Sequence, residues 1–536
     1  MKKLKLVCVA IAMACAAPSF AGGLLTNTNQ HVAFNRMMSR EASIGIDGVY
    51  YNPAGVVFMG EGHHLAINWQ LAFQTRTINN DYALFTNNVN NPITPRDFKG
   101  TAFAPVIPSF QYAYNKGKWS FQASFALTGG GGKCTFDDGL GSFEKIVAET
   151  AIAACGLAGV VDQTLGNTLG QPGMEMFTSD QAFGKTGKYS FNSYMHGRQY
   201  YYGLSVGAAY KFCDNFSAFL GVRGVYALTN YYGYVENINV GNMPLYKVLD
   251  PTKESSANIE LSCDQSGVGF TPIIGVDYKT GRWNFSAKYE FKTRIRLKNK
   301  SVNQTPSIGN LPANLANQMT GILTAKYQQA GLPLEQAKQQ AENTTNAVLN
   351  DPTVGATMMG LKTQFDQKLN KAIGEYEDGK KIAGDIPAYL ALGVGYSPVD
   401  AVRVNVGFHW FDDKNATSYN NRNKELKRGT LEYNAGVEVD VNKKITLSTG
   451  WQNTNYGLSD EYMDDKSFVV GSNSAAIGGV YHINKKMDLN VAYFHTFYQH
   501  KKTTEPVQFT AEKSINYSSD YTRNNNVFAV GLDINF

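Results

Sequence analysis

The chain has 536 residues, of which 17% are charged and 12% aromatic, with 31 Tyr, 30 Phe and 52 Gly. A soluble protein would carry about 25% charged residues. A helical membrane protein would need repeated apolar runs of about 20 residues, and none follows residue 21 in a chain whose mean hydropathy is -0.28. The net charge of +5 falls nearly to neutrality without the basic start, which excludes a basic nucleic-acid binder.

Residues 1–21 read as a cleaved leader: Lys2, Lys3 and Lys5, an apolar stretch from Leu6 to Ala17, then Ser19-Phe20-Ala21 as the cleavage site. Residues 22–62 do not alternate and hold Gly45, Gly48, Asn52-Pro53-Ala54-Gly55, Gly60 and Gly62. From there the pattern changes to runs with a period of two, each the mark of a strand with one greasy and one wet face. Leu65, Ile67, Trp69, Leu71 and Phe73 alternate with Ala66, Asn68, Gln70 and Ala72. Trp119, Phe121, Ala123, Phe125 and Leu127 do the same, as do Trp283, Phe285, Ala287, Tyr289 and Phe291.

The runs fall near 64–77, 101–115, 118–129, 197–212, 215–232, 257–279, 282–297, 383–396, 401–411, 430–441, 444–454, 471–484, 487–499 and 524–536. Every second connection is a tight polar turn, such as Asn115-Lys116-Gly117 or Asn442-Lys443-Lys444; the others are long. Short turns at one end and long loops at the other describe a transmembrane β-barrel of fourteen antiparallel strands. The last run, with Phe528, Val530, Leu532, Ile534 and Phe536 on one face, suits a closing strand that assembly machinery would engage. A barrel this wide is not filled by its own side chains, so residues 22–62 are expected to plug it as a hatch. Residues 63–536 then form the barrel, with long outer loops near 130–196 and 298–382. Those loops carry helical stripes: Leu311, Leu315, Met319 and Ile322 in one, and Phe143, Ile146, Val147, Thr150 and Ala151 in the other.

Parity places Lys288, Glu290, Lys292, Arg294 and Arg296 of the seventh run inside the lumen, with Arg223 and Arg403 from two other runs. A basic lumen attracts a carboxylate head group, and arginine suits bidentate contact; the bland alternative is ordinary solvation of the lumen. Arg294 and Arg296 are expected nearest the outer end. Glu432, Glu438 and Asp440 also point inward, so the lumen is mixed. Neither a metal-ligand spacing nor a nucleophile–base set is recognisable, so no metal, cofactor or enzymatic activity is expected. Cys134 and Cys155 share one outer loop and are expected to pair as a disulfide. Cys213 and Cys263 are too far apart along the strands to do so.

Two stretches carry a family resemblance. "EASIGIDGVYYNPAGVVFMGEGHHLAINWQ" resembles the hatch and first strand of the FadL-type long-chain fatty acid transporters, a family that includes TodX-like hydrocarbon channels. "TAFAPVIPSFQYAYNKGKWSFQAS" is similar to its second and third strands. The resemblance implies a monomeric fourteen-stranded barrel with a hatch motif at Asn52, Pro53 and Ala54. It also implies an interruption of the third strand near Gly129, Gly130, Gly131 and Gly132, opening the wall to lipid; without it, these glycines are a pliable junction. The expected activity is passive inward movement of hydrophobic molecules, foremost long-chain fatty acids, in contact with outer-membrane lipid. Capture by the loops, binding in the lumen and hatch-controlled release would be its stages. The alternatives are a channel of the same fold for other apolar compounds such as aromatics or bile-derived lipids, and a surface interaction or adhesin barrel whose loops bind host or matrix molecules.

Overall fold

A computed structural model describes residues 24–306, 308–508 and 514–536; the leader assigned to 1–21 lies outside them. Alternation dictates the architecture. Trp69, Phe73, Trp119, Phe121, Trp283 and Phe528 face out, and Asn68, Gln70, Ala72, Ser120 and Gln122 are buried inside. Fourteen antiparallel strands close into a barrel. They are β1 Gly62–Tyr82, β2 Arg96–Lys116, β3 Trp119–Phe136, β4 Tyr189–Cys213, β5 Phe216–Val240, β6 Ile259–Thr280 and β7 Trp283–Glu290, the last continued by Arg296–Gln304. There follow β8 Tyr389–Val399, preceded by Lys381–Ala383, then β9 Val402–Phe411, β10 Thr430–Asn442, β11 Ile445–Asn455 and β12 Ser472–Asn484. β13 Met487–Tyr498, continued by Lys501–Gln508, and β14 Ser514–Asn535 complete the wall. β1 and β14 close it in unbroken register from His64–Asn535 to Tyr82–Tyr517.

Several strands run beyond the alternating runs at the long-loop end. There the outer face of the strands is no longer apolar, so the pattern fades before the pairing does.

The seventh strand departs from expectation. Its ladder stops at Glu290 and resumes at Arg296. β6 pairs with it from Ile273 to Thr280 and again from Glu260 to Ser266, with Pro272 among the unpaired residues between. Across this break the alternation slips by one residue. Lys288 and Glu290 are inside, but beyond it the buried residues are Thr293, Ile295, Leu297 and Asn299. Arg294 and Arg296 are therefore on the outer, exposed face and not in the lumen.

Residues 24–61 lie within the barrel and are almost wholly buried up to Val57. Their two short helices are α1 Val32–Met37 and α2 Gly48–Tyr51. Phe34 stacks on Tyr51 at 5.2 Å, and the Tyr51 hydroxyl donates to the Thr28 carbonyl at 2.6 Å, which folds the segment on itself. It touches the wall closely: a Cβ on Gly436 or its cross-strand partner Gly450 would overlap the Met37 carbonyl.

Above the long-loop end lie α3 Gly141–Leu169, α4 Leu311–Gln329, α5 Leu334–Leu349 and α6 Pro352–Ile373. The buried stripe of α4 is Leu311, Leu315, Met319 and Leu323, with Ile322 turned outward. These helices share one apolar cluster with Tyr82, Phe85, Phe98 and Tyr517 at the barrel rim.

Candidate functional site

The hatch is fixed to the wall by polar contacts. Asn52 donates to Asp277 of β6 at 2.6 Å and accepts from the Gly55 amide at 3.2 Å. The Pro53 carbonyl accepts from Gln122 of β3 at 2.7 Å, and that of Ala54 from Ser217 of β5 at 2.7 Å. The Asn-Pro-Ala motif thus bonds to three wall strands. Elsewhere Gln30 accepts from Ser109 and Gln111 of β2, and Asn284 of β7 donates to Ala42.

Ionic contacts reinforce these. Glu438 of β10 holds Arg36 and Arg40 of the hatch together with Arg403 of β9. Arg40 also pairs with Asp47 at 2.7 Å, and Arg403 with Asp440 at 2.5 Å. His409 of β9 lies between Glu41 of the hatch, at 2.7 Å, and Glu432 of β10, at 2.9 Å. An imidazole satisfies two carboxylates only when both ring nitrogens donate, as in the imidazolium. Two wide recesses open at the short-turn end beneath the hatch, and both are bounded by Arg403 and Glu438.

The expected carboxylate-binding cations are placed differently. Arg223 forms a bidentate pair with Glu290 at 2.6 and 3.0 Å. Lys288 donates to Glu290 at 2.9 Å and to the Tyr50 carbonyl at 2.6 Å. Both cations thus serve the hatch contact. Lys292 donates to the Asn415 carbonyl at 3.0 Å. Arg403 belongs to the Glu438 cluster, and Arg294 and Arg296 are outside.

β3 loses its pairing with β2 between Phe110–Phe125 and Thr101–Thr135. Pro105 and Pro108 lie in the unpaired part of β2 and have no N–H to offer. Toward β4 the register of β3 shifts at Gly129 and again before Gly132, where Gly130 and Gly132 adopt φ of 84° and 74°. The N-terminal segment seals this irregularity from within. The Gly130 amide donates to the Leu25 carbonyl at 3.1 Å, and the Asn27 amide to Thr128 at 3.0 Å. The Asn27 side chain adds bonds to Leu127 and Gly130 at 3.3 and 3.0 Å.

Three neighbouring cavities, each sharing lining residues with the next, lie between the loop helices and this break. The outer one, about 110 Å3, lies among Val147, Leu157, Val161, Phe177, Leu245 and Leu315, with a Lys368–Glu149 ion pair on its rim. Ile146, Val147 and Ile259 also line a second apolar cavity, together with Phe143 and Tyr232. Met195, Tyr231 and Lys466 belong both to that cavity and to a third in the lumen, about 80 Å3. The third is lined by Gly130, Gly132, Phe136 and Phe468, and by Arg76 and Arg523. Arg76 and Arg523 are cross-strand partners on β1 and β14. The roof of this cavity is the loop between β11 and β12, whose Phe468 and Val470 are buried. Asp465 anchors that loop by accepting from the Ser142 amide at 2.8 Å and the Tyr521 hydroxyl at 3.0 Å. Burial, with the Asp464 charge beside it, pushes the Asp465 carboxyl up.

Arg76 lies inside the first alternating run, near its end, and Arg523 one residue before the last run, and neither was singled out as a lumen cation. Continuing the inward parity of Ala72 and Gln74, or of Val527 and Asn525, would have reached both. The Cys134–Cys155 pairing is corrected: both thiols are free and buried. Cys134 is still in β3, in a cluster with Phe136 and Phe468, whereas Cys155 is midway along α3 and its thiol donates to the Phe183 carbonyl at 3.3 Å. β3 runs further than its apolar run suggested, and this puts the two residues in different layers. Cys213 and Cys263 are free as well.

No protein-family model matches the chain, and no curated protein is similar to it. Solved structures do match. A crystal structure of a Pseudomonas aeruginosa FadL homologue aligns over 96% of this chain and 100% of its own, at 13% identity and a TM-score of 0.59. The chain has the FadL-type barrel fold. The Pseudomonas putida toluene transporter TodX aligns over 96% and 100%, at 12% identity and a TM-score of 0.50. A TodX monoaromatic hydrocarbon channel carrying the deltaS2S3 mutation aligns over 94% and 99%, at 12% identity and a TM-score of 0.51.

Proposed function

We propose that this chain is an outer-membrane channel that moves hydrophobic molecules inward without energy input, and that its cargo is long-chain fatty acid. The observation that carries this reading is the series of cavities, apolar at the outside and cationic at the end, which finishes where β3 leaves β2. An apolar solute crosses a polar outer leaflet slowly. The outer cavity gives it apolar walls, and the second passes it beneath α3. In the third, a carboxylate meets Arg76, Arg523 and Lys466 while the tail lies against Phe136 and Phe468. Displacing Leu25 and Asn27 from the glycines then frees the unpaired stretch of wall, and the ligand leaves sideways into the bilayer.

Toluene, named for TodX, has no head group; three cations around the innermost cavity favour an acid. Wild-type protein should bind oleate about tenfold more tightly than oleyl alcohol, the scale of a charged hydrogen bond. The double variant Arg76→Gln/Arg523→Gln should lose that preference. Equal affinity of the wild type for both ligands would remove the fatty acid from the reading and leave a general apolar channel.

A further inference from the structure

The phase slip in β7 leaves basic residues on a lipid-facing surface. Below the slip its outward residues are Trp283, Phe285 and Phe291, all exposed. Above it they are Arg294, Arg296, Lys298 and Lys300, also exposed and alternating with buried Thr293, Ile295, Leu297 and Asn299. Lys381 is exposed directly across the ladder from Lys298. On the other side Lys298 faces Ser266 and Lys300 faces Asp264 of β6, just above outward Val268 and Phe270. The apolar belt therefore ends where this basic stripe begins.

Few acids answer it. Asp264, across the ladder from Lys300 and bonded to Asn230 at 2.8 Å, offsets one charge of the stripe, and Asp378 accepts from the Ser301 amide at 2.8 Å. Asp385, buried beneath the stripe, takes Arg296 at 2.8 Å and the Ile295 amide at 3.1 Å. Like charges directly opposite in a sheet repel, so Lys298 and Lys381 call for an anion between them. At the head-group level, cations reach lipid phosphates while their stems lie along apolar surface.

We propose that this face of β7 binds a lipid whose head group carries more than one phosphate. From Arg294 to Lys300 the strand covers roughly 20 Å, more than one phosphate spans. The proposal rests on the barrel lying in a membrane, and not on its cargo.

The test uses the full chain in neutral phosphatidylcholine vesicles or nanodiscs, with lipid retention read by native mass spectrometry. The variant is Arg294→Gln/Lys298→Gln/Lys300→Gln/Lys381→Gln, with Arg296 kept because it serves Asp385. The probes are a diphosphorylated disaccharide lipid, its dephosphorylated form and inorganic phosphate. The wild type should retain the diphosphorylated lipid about tenfold more tightly than the dephosphorylated one, and the variant should lose this difference while keeping its folded electrophoretic mobility. A Lys485→Gln/Lys486→Gln control at the opposite end should behave as wild type. Equal retention by the four-site variant would overturn the proposal, as would competition by millimolar inorganic phosphate, which would make the stripe a simple anion site. A wild type that fails to enter the vesicles would overturn the membrane reading, and this proposal with it.

Discussion

The two ends of the barrel are closed by different chemistry. At the short-turn end the hatch meets the wall through amides, carboxylates and guanidinium groups: Asn52 on Asp277, three arginines on Glu438, and His409 between Glu41 and Glu432. At the long-loop end α3, α4 and the rim close over aliphatic and aromatic side chains that leave cavities between them. Directional bonds hold one geometry and resist an apolar solute, which offers nothing in exchange for them. Apolar packing can exchange a protein side chain for a ligand of the same character at little cost. Under the proposed function, the outer end would admit a greasy molecule and the inner end would stay shut until the hatch rearranges.

Glu438 is the place where that contrast breaks most easily. Glu438→Ala removes the carboxylate shared by Arg36, Arg40 and Arg403; Arg40 keeps Asp47 and Arg403 keeps Asp440, so the buried Arg36 is the cation that loses its acid. Removing one partner of a buried pair costs about 3–5 kcal/mol. Single-channel recordings should show a shut wild type and a variant with frequent openings, because the recesses beneath the hatch meet at this residue. A shut variant would mean that the neutral hydrogen bonds suffice. The matching change at the outer end, Leu157→Ala, should leave conductance at the wild-type level.

Asp413, between β9 and β10, sharpens the contrast through pH. Its carboxylate oxygens accept the Leu24 amide at 3.2 Å and the Thr430 amide at 2.9 Å, so it tethers the start of the described chain to an outer loop. Burial raises its pKa to about 6 from 3.8, against the pull of those amides. Because the folded value is the higher one, the folded state binds more protons between the two. Its contribution is fully present below about pH 4 and is lost as pH rises through 6. The loss is of order 3 kcal/mol at most. Hydrogen exchange at residues 24–30 should quicken from pH 5 to 7.5 beyond the intrinsic rate, and Asp413→Asn should flatten that change. No difference between wild type and variant would remove Asp413 as the sensor.

Much of this was legible in the sequence, because an apolar outer face and a polar interior impose a strict period of two. Trp283 and Phe285 against Asn284 and Ser286 could be placed with no other information. The slip after Glu290 could not. Lys292, Arg294 and Arg296 continue a regular alternation, and a one-residue shift between polar positions changes no hydropathy pattern. Only the partner strand, with Pro272 opposite, shows where the ladder fails. Asn52-Pro53-Ala54 was visible as a motif, yet its partners Asp277, Gln122 and Ser217 come from strands distant in sequence. Arg223 and Lys288 were read correctly as inward. Their carboxylate, Glu290, stands in the same alternation, but which inward residues meet across the lumen is a property of closure.

The smallest expected effect concerns the glycines of β3, where the two kinds of closure meet. Gly130 has a positive φ, and a Cβ there would approach the Gln199 carbonyl to 2.7 Å. Gly130→Ala should therefore cost about 1–2 kcal/mol for the left-handed conformation alone, the overlap with the Gln199 backbone must be relieved by a local shift, and the barrel should still fold. The strain is relieved if β3 straightens toward its regular register, but that moves the amide now bonded to Leu25. The hatch would lose one hold while Asn52 and Glu438 keep theirs. Fatty acid uptake should fall several-fold, with single-channel conductance at the shut wild-type level, because the path sideways through the wall narrows while the plug beneath stays in place. Reduced uptake together with an open channel would show that the glycines serve the plug and not the wall. Unchanged uptake in a folded variant would take the break in β3 out of the route.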